Sequence, residues 1–312
     1  MADATDSGRN MPAADDMRCG FVALIGAPNA GKSTLLNVLV GAKISIVSHK
    51  VQTTRTLIRG IAIEGPAQLI FVDTPGIFAP KRRLDRAMVT SAWSGAHDAD
   101  ITGVLIDVRK GFDEENEAIL TKLRDLSGPK FLLLNKIDLV SKESLLALAA
   151  DLNARVDFAA TFMISALSGQ GIADVKSWLA ERAPQGPWHY PPDQISDAPL
   201  RQLAAEITRE KLYERLHQEL PYQSMVETVD WKALKDGSVR IEQVILVERE
   251  SQRKIVLGKA GQTIKAIGAQ ARKEIAEIAE TPVHLFLFVK VREGWGDDPA
   301  RYRDMGLDFP KD

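Results

Sequence analysis

The chain has 312 residues, 45% hydrophobic and 26% charged, with a formal net charge of −2. This is an ordinary globular composition, long enough for two domains and leaving any polyanion site to a local patch. Its single cysteine, Cys19, excludes an intramolecular disulfide and a cysteine-rich metal centre, and no apolar run reaches membrane-spanning length. Residues 1–18 carry Asp3, Asp6, Asp15 and Asp16 and no apolar core, and read as a flexible tail rather than a signal peptide.

From Phe21 to about Ala183, short apolar runs alternate with helical segments. The runs are Phe21–Ile25, Leu69–Val72, Val104–Val108, Phe131–Leu134 and Phe162–Ile164, with helices expected at 34–40 and near 114–126, 141–150 and 172–182. Such alternation predicts an α/β domain, doubly wound, with a mostly parallel sheet covered on both faces. Ligands of such sheets sit beyond the C-terminal strand ends.

The first run leads into Gly26-Ala-Pro-Asn-Ala-Gly-Lys-Ser33, the pattern G-x-x-x-x-G-K-[ST] between a strand and a helix. Glycines let backbone N–H groups close around phosphates, and the helix N-terminus adds positive potential. Gly26, Asn29, Ala30, Gly31, Lys32, Ser33 and Thr34 are therefore candidate nucleotide contacts. Lys32 would reach the β- and γ-phosphates, and the Ser33 hydroxyl would ligate Mg2+.

Three further motifs fall at later strand ends. Asp73-Thr-Pro-Gly76 offers a carboxylate for Mg2+ and, at Gly76, an N–H for a γ-phosphate. Asn135-Lys-Ile-Asp138 offers Asp138 to guanine N1–H and the 2-amino group, Asn135 to N7 and the Lys136 stem to the base face. The turn Ser165-Ala166-Leu167 offers backbone to guanine O6. Adenine lacks the donor pair that Asp138 would accept, so GTP and GDP are the expected nucleotides, and a metabolic kinase is disfavoured.

The ordered set resembles the translation-factor branch of GTPases. Within Gln52-Thr-Thr-Arg55 a switch threonine would ligate Mg2+ when the γ-phosphate is present; Thr54 is favoured, with Thr53 as the alternative. Arg55 is read as a solvated switch arginine in preference to a charge stabiliser. Ile77 stands where many small GTPases have a water-orienting Gln. That resembles GTPases with a hydrophobic residue there, a subgroup of which holds K+ with a P-loop Asn at the place of Asn29. Slow turnover with K+ as an activator is the expectation, and Lys32, Thr54, Gly76 and Asn29 are the candidate catalytic residues.

Ala183-Pro-Gln-Gly-Pro-Trp-His-Tyr-Pro-Pro192 cannot be a helix interior or a central strand. The division expected is therefore a tail at 1–18, a nucleotide domain at 19–184, a linker at 185–199 and a second domain at 200–312. The second domain predicts a helix over Leu200–Leu216, strands over Ser224–Trp231 and Val239–Glu248, a helix over Gln262–Glu280 and a strand over Val283–Val291, with Val283, Leu285, Leu287, Val289 and Val291 on one face. Ser251–Leu257 fits either a strand or a short helix. Gly258-Lys-Ala-Gly261 opens the long helix, and from Arg249 to Lys273 seven charged residues are basic and one acidic. This local patch is an electrostatic footprint for nucleic acid. The RNA-contact candidates are Arg253, Lys254, Gly258, Lys259, Ala260, Gly261, Lys265 and Arg272. Few aromatics lie near, so base reading is assigned to a hydrophobic groove and hydrogen bonds rather than to stacking.

This second unit resembles a type II KH domain, whose G-x-x-G loop clamps single-stranded backbone; in that reading Ser251–Leu257 is a short helix. With Arg209-Glu-Lys211, Glu219-Leu-Pro-Tyr222, Ile245-Leu-Val-Glu-Arg249 and Pro282-Val-His-Leu285, the chain from Cys19 to about Gly294 is similar to the Era-type GTPases. The resemblance implies a monomer that binds the 3′ end of the 16S ribosomal RNA, assists assembly of the small ribosomal subunit, and works in the cytoplasm with peripheral association to the inner membrane. Phe78 departs from the His common after Gly76-Ile77, and the tail after Trp295 is only loosely similar.

Overall fold

The computed structural model describes residues 12–48, 50, 53–55, 57–216 and 220–310. Residues 1–11, Gln52 and Glu219, named above, lie outside them.

The first unit is a six-stranded sheet in the order β2-β3-β1-β4-β5-β6. Its strands are β1 (Arg18–Gly26), β2 (Ile58–Glu64), β3 (Ala67–Asp73), β4 (Ile101–Asp107), β5 (Lys130–Asn135) and β6 (Ala160–Ile164). All pairings are parallel except β2 with β3. Helices α1 (Lys32–Val40), α2 (Arg83–His97), α3 (Glu114–Leu123), α4 (Lys142–Arg155) and α5 (Ile172–Arg182) surround it. One apolar cluster joins α1 and α5 to the sheet through Leu35, Leu36, Phe71, Phe131 and Leu179, and another joins α2, α3 and α4 through Ala92, Val104, Ile119, Leu132 and Leu152. The chain goes one way from central β1 to β3 and the other way to β4, which opens the crevice where the strand order reverses.

Two elements here escaped the sequence reading. β2 is a half-buried antiparallel strand whose apolar residues do not alternate cleanly. The apolar residues of α2 serve two partners, with Ala92 and Trp93 under the sheet and Leu84, Ala87 and Met88 in a different cluster.

Residues 185–199 run along the open edge of β2. Ile61 N–H donates to Ile195 O (2.9 Å), Ser196 Oγ to Arg59 O (2.9 Å), and the Gln68 Oε1 accepts from His189 and Tyr190 N–H (2.9 and 3.0 Å). A covered edge cannot recruit foreign strands. At the other terminus Arg18 already belongs to β1, paired with Ala67, and Ala14–Asp16 form a single 3-10 turn.

The second unit runs α6 (Leu200–Arg215), β7 (Ser224–Ala233), β8 (Val239–Val247), α7 (Glu250–Leu257), α8 (Gln262–Ile278), β9 (Val283–Val291) and α9 (Pro299–Asp304). Its sheet has the order β7-β8-β9, with β8 and β9 parallel, and β9 is an edge. Helices α6 and α8 cover one face through Ala205, Leu212, Ile245, Ile267 and Ile275. Ser251–Leu257 is helical, within α7.

The tail after Trp295 is part of a core. Trp295, Tyr302, Met305 and Leu307 are buried with Met225, Val244 and Leu246 of the second unit and with Leu84, Ala87 and Met88 of α2. Fully buried apolar side chains contribute about 1.5–3 kcal/mol each, exposed ion pairs about 0–1. This shared cluster, more than any surface charge pair, therefore holds α2 against the second unit.

Candidate functional site

Gly31 caps α1 with φ 105° and supplies no side-chain cap, so the first N–H groups of the helix face the loop. A Cβ at Gly31 would lie 2.2 Å from Asn135 Nδ2, so only glycine fits where the loop crosses β5. Lys32 Nζ donates to Gly26 O (3.0 Å) and Ala27 O (3.1 Å). Burial pulls its ammonium down to about 8, against the opposing pull of Asp73. A phosphate here would restore the missing negative partner.

Next to Lys32, hydroxyls converge on Asp73. Its Oδ2 accepts from Ser33 Oγ (2.8 Å), Ser45 Oγ (2.9 Å) and Thr54 Oγ1 (3.3 Å), and Ser33 Oγ and Thr54 Oγ1 are 2.9 Å apart. Asp73 is fully buried, and its Oδ1 has no hydrogen-bond partner among the described residues. Burial raises its carboxyl above the usual range, opposed by Lys32 and the hydroxyl donors. Two hydroxyls beside an orphaned carboxylate oxygen fit a small hard cation such as Mg2+, which takes few protein ligands and keeps several waters. Thr53 Oγ1 instead donates to Lys50 O (2.8 Å), so Thr54 is the threonine that meets this group. Ser45 is a member the sequence reading missed. Ile77 N–H donates to Gly26 O (3.1 Å), tying the segment after Gly76 to the loop, and the Ile77 side chain is buried in the sheet core.

A cleft of about 350 Å³ continues from this site, lined by Asn29, Thr34, Arg109, Asn135, Lys136, Asp138 and the turn at 165–167. Asn135 acts as a strut. Its Nδ2 donates to Ala30 O (2.8 Å), and its Oδ1 accepts from Lys136 N–H (2.9 Å) and Ala166 N–H (3.0 Å). Only one of its two amide N–H bonds is engaged by the described residues. Ser165 N–H goes to Gln170 O (3.1 Å), and Leu167 is the exposed member of that turn. Lys136 Nζ reaches Asn29 O (2.7 Å) and Asp107 Oδ2 (2.6 Å). Asp107 also takes Arg109 Nε (3.0 Å) and a terminal nitrogen of Arg109 (2.6 Å). Burial pushes the Asp107 carboxyl up, but Arg109 and Lys136 outweigh it and hold it at about 2. The sequence reading missed Asp107 and Arg109. Their place at the end of β4, beside β5, was the available signal.

The second site is the loop at Gly258–Gly261. Gly258 (φ 72°) packs so closely that a Cβ would lie 2.1 Å from Thr263 Oγ1, and Ala260 is left-handed (φ 50°). Lys259 and Ala260 are exposed, and Gly261 caps α8 without a side-chain bond. A groove of about 380 Å³ runs between α8 and the edge strand β9, lined by Ile264, Lys265, Gly268, Ala269, Arg272 and Leu285 to Leu287. Lys254 is exposed on α7. Arg253 donates to Glu250 (2.9 Å) and Val289 O (3.3 Å), so it also pins α7 to β9. The expectation of few nearby aromatics is corrected: Phe286 lines this groove, and Phe286 and Phe288 stand exposed on β9.

The reading of Arg55 is corrected too. It is neither solvated nor aimed at the nucleotide cleft, but 3% exposed and inserted into the second unit. It donates to Ser224 O (2.8 Å), Tyr213 Oη (3.2 Å), Tyr222 O (3.2 Å) and Pro221 O (3.3 Å), and lies 5.9 Å from the Trp295 ring. The same segment is held elsewhere. Glu210 accepts from Lys43 Nζ (2.7 Å) and Val47 N–H (2.8 Å), Arg209 donates to Thr53 O, and Lys50 donates to Tyr213 O and Leu216 O.

A phosphate loop with a guanine-type cleft, followed by a helix–strand–strand–helix–GXXG–helix–strand unit, defines a P-loop GTPase joined to a type II KH domain. A family profile described as a 50S ribosome-binding GTPase matches residues 21–136, and a KH-domain profile matches residues 219–296. The GTPase Era of Afipia carboxidovorans is 70% identical over 305 residues, covering 97% of this chain and 99% of that protein. The GTPase Era of Brucella suis biovar 1 is 68% identical over 297 residues, 95% and 96% of the two chains. Two solved structures superpose with a TM-score of 0.88 at 37% identity, each covering 93% of this chain and 99% of that one. One is a point variant of Aquifex aeolicus Era bound to GDP and AlF4−; the other is Era with MgGDPNP and nucleotides 1506–1542 of 16S ribosomal RNA. This chain belongs to the Era family of GTPases.

Proposed function

We propose that this chain is a GTP-hydrolysing switch whose KH domain binds the 3′ end of the 16S ribosomal RNA and so assists assembly of the small ribosomal subunit. The observation that carries the reading is the Thr54–Arg55 junction. Thr54 meets Ser33 and Asp73, while the next side chain is buried among Tyr213, Tyr222 and Ser224 of the KH domain. The state of the nucleotide site is thereby linked through one peptide unit to the domain that offers a phosphate loop to RNA.

In this reading Asp138 accepts from the guanine edge, Asn135 and Lys136 frame the base, and the N–H groups from Asn29 to Thr34 cradle the phosphates. Lys32 places its charge on the β- and γ-phosphates. Ser33, Thr54 and Asp73 would hold Mg2+, which when bound neutralises charge developing on the phosphates. Gly76 N–H senses the γ-phosphate. With Ile77 in the core, no side chain at that position orients the attacking water, so intrinsic turnover is slow. Asn29, exposed where the phosphate and base clefts meet, is the K+ candidate. Gly258 to Gly261, Lys254, Lys259, Lys265 and Arg272 contact the RNA, and Arg253 braces the same surface. Among the described residues no helix is long and apolar enough to cross a membrane, so the membrane association implied by the resemblance would be a surface contact.

The test is RNA affinity measured with GDP and with a non-hydrolysable GTP analogue, using a 3′-terminal 16S fragment. A nucleotide-dependent difference supports the switch; equal affinities remove it. Crosslinking in cells, comparing wild type with Gly258→Asp, identifies the RNA.

A further inference from the structure

Alternation along β9 sends Leu285, Leu287 and Val289 toward the helices and leaves His284, Phe286, Phe288 and Lys290 exposed on the opposite face. Phe286 is 44% and Phe288 46% exposed, a large apolar area to leave in water. On the neighbouring strand the same face carries Arg240 and Glu242, then Val244 and Leu246, which are covered by α2 and the C-terminal tail. The cover stops short of the two rings. Arg240 is ion-paired with Glu242, and its guanidinium lies 4.9 Å from the Phe286 ring centroid.

The geometry points to Phe286 and Phe288 as a base-stacking platform for single-stranded RNA, on the sheet face around the edge of β9 from the GXXG groove. The inference rests on the RNA-binding reading and extends it to a surface outside the groove. Three observations select this occupant. First, the groove and the platform are continuous: Phe286 lines the groove with Lys265 and Arg272, so a strand leaving the loop meets the rings by crossing one edge strand. Second, the rings stand two residues apart on one strand, about 6.6 Å, as on other sheet platforms that stack successive bases; Phe286 already carries the Arg240 guanidinium over its ring, so a base there stacks on the part of the ring left exposed. Third, the charge suits a polyanion. Glu242, which faces Phe286 in register, is ion-paired with Arg240 and so sets no net negative charge against a phosphate chain, and exposed Lys290 adds a positive charge beside Phe288. A two-fold contact with a second copy would bring the Lys290 of both copies into one apolar interface, an arrangement that like charges oppose.

The test uses the full chain and a fluorescein-labelled single-stranded 16S 3′-terminal RNA, with a second oligonucleotide carrying 2-aminopurine. Base–aromatic stacking predicts roughly 5- to 150-fold weaker binding for Phe288→Ala and for Phe286→Ala, from the usual loss per stacked base. Phe288→Trp should restore affinity and 2-aminopurine quenching, whereas Phe288→Leu, which keeps the apolar surface, should not. GTP affinity and melting temperature serve as folding controls. Wild-type RNA affinity in both alanine variants, with Gly258→Asp defective, overturns the platform and leaves the RNA-binding reading standing. If Gly258→Asp also binds normally, that reading falls as well. Full retention in Phe288→Leu overturns stacking in favour of apolar docking. A sedimentation coefficient that rises with concentration in wild type and not in Phe288→Ala assigns the face to a second copy and likewise overturns the proposal.

Discussion

Arg55→Ala is the perturbation that isolates the link between the two domains. The guanidinium makes four hydrogen bonds in a buried setting, three of them to backbone carbonyls of Pro221, Tyr222 and Ser224. A hydrogen bond to a charged group contributes about 1.5–3 kcal/mol, but desolvating the guanidinium costs several kcal/mol, so the gross sum is not the net effect. Truncating the side chain leaves three carbonyls and a phenol oxygen without their donor, at about 1–3 kcal/mol for each group that stays buried and unsatisfied. About 3 kcal/mol in total is expected here, because Tyr222 is partly exposed and open to water whereas Ser224 and Tyr213 are fully buried. Thermal unfolding should then fall by about 5–10 °C for the cooperative unit that includes the interface. The ratio of RNA affinities with GDP and with a non-hydrolysable GTP analogue, read by fluorescence anisotropy, should move toward one. A variant with the wild-type melting temperature and the wild-type affinity ratio would refute the reasoning.

Other expectations follow from single residues. Lys32 is held at about 8 when buried without an anion, below its unfolded value, so its contribution to nucleotide-free stability rises as pH climbs from about 8 toward 10.5. Phosphates favour the ammonium, so GTP binding at about pH 8.5 should take up roughly three-quarters of a proton; calorimetry in buffers of different ionisation enthalpy reads it, and buffer-independent heat would contradict it. Asp107→Asn frees Lys136 and Arg109 from their shared carboxylate and should weaken GDP binding about tenfold, measured with a fluorescent GDP, without changing the melting of the KH domain. Gly258→Ala drives a Cβ into Thr263 and should abolish RNA binding while basal GTP hydrolysis stays within about twofold of wild type. GTP hydrolysis should run faster in K+ than in Na+, and Asn29→Ala should erase the difference; equal rates in wild type would sink the K+ reading.

The phosphate loop, the Asp73 and Asn135 motifs and the GXXG loop were legible because each is a short contiguous solution to a local backbone problem. Strand ends and helix starts were readable for the same reason. What escaped was tertiary. Arg55 was misread because its neighbour Thr54 points to the nucleotide, whereas its own partners lie 158 to 169 residues away. Asp107 looked like the end of an apolar run until β4 and β5 were placed side by side. The tail at Trp295–Leu307 has too few apolar residues to declare a core, since most of that core comes from α2, β7 and β8. On β9 the alternation identified the covered face, but the other face drew no notice because Phe286 and Phe288 look like core residues in a one-dimensional pattern.

The arrangement of switch residues also limits how strongly the two sites can influence each other. A ligand shifts an equilibrium only by its differential affinity for the two states. Thr54 and Arg55 have Cα atoms about 3.8 Å apart, so Thr54 cannot move far with the nucleotide unless the guanidinium moves or the KH domain follows it. If the guanidinium is withdrawn, coupling cannot exceed the energy that holds it. About 3 kcal/mol corresponds to roughly 150-fold in RNA affinity. If the KH domain follows, the shared cluster of Leu84, Met88, Met225 and Trp295 must repack as well, and that cluster joins α2, which follows the Asp73–Gly76 motif in the chain, to the second unit. The Thr54–Arg55 segment and α2 therefore bear on one interface, and breaking the Arg55 anchor alone should reduce the coupling while the α2 contact preserves part of it. Pairing Arg55→Ala with Met88→Ala in a double-mutant cycle measures that remainder: a coupling energy between the two positions places them in one device, and simple additivity would make them independent anchors.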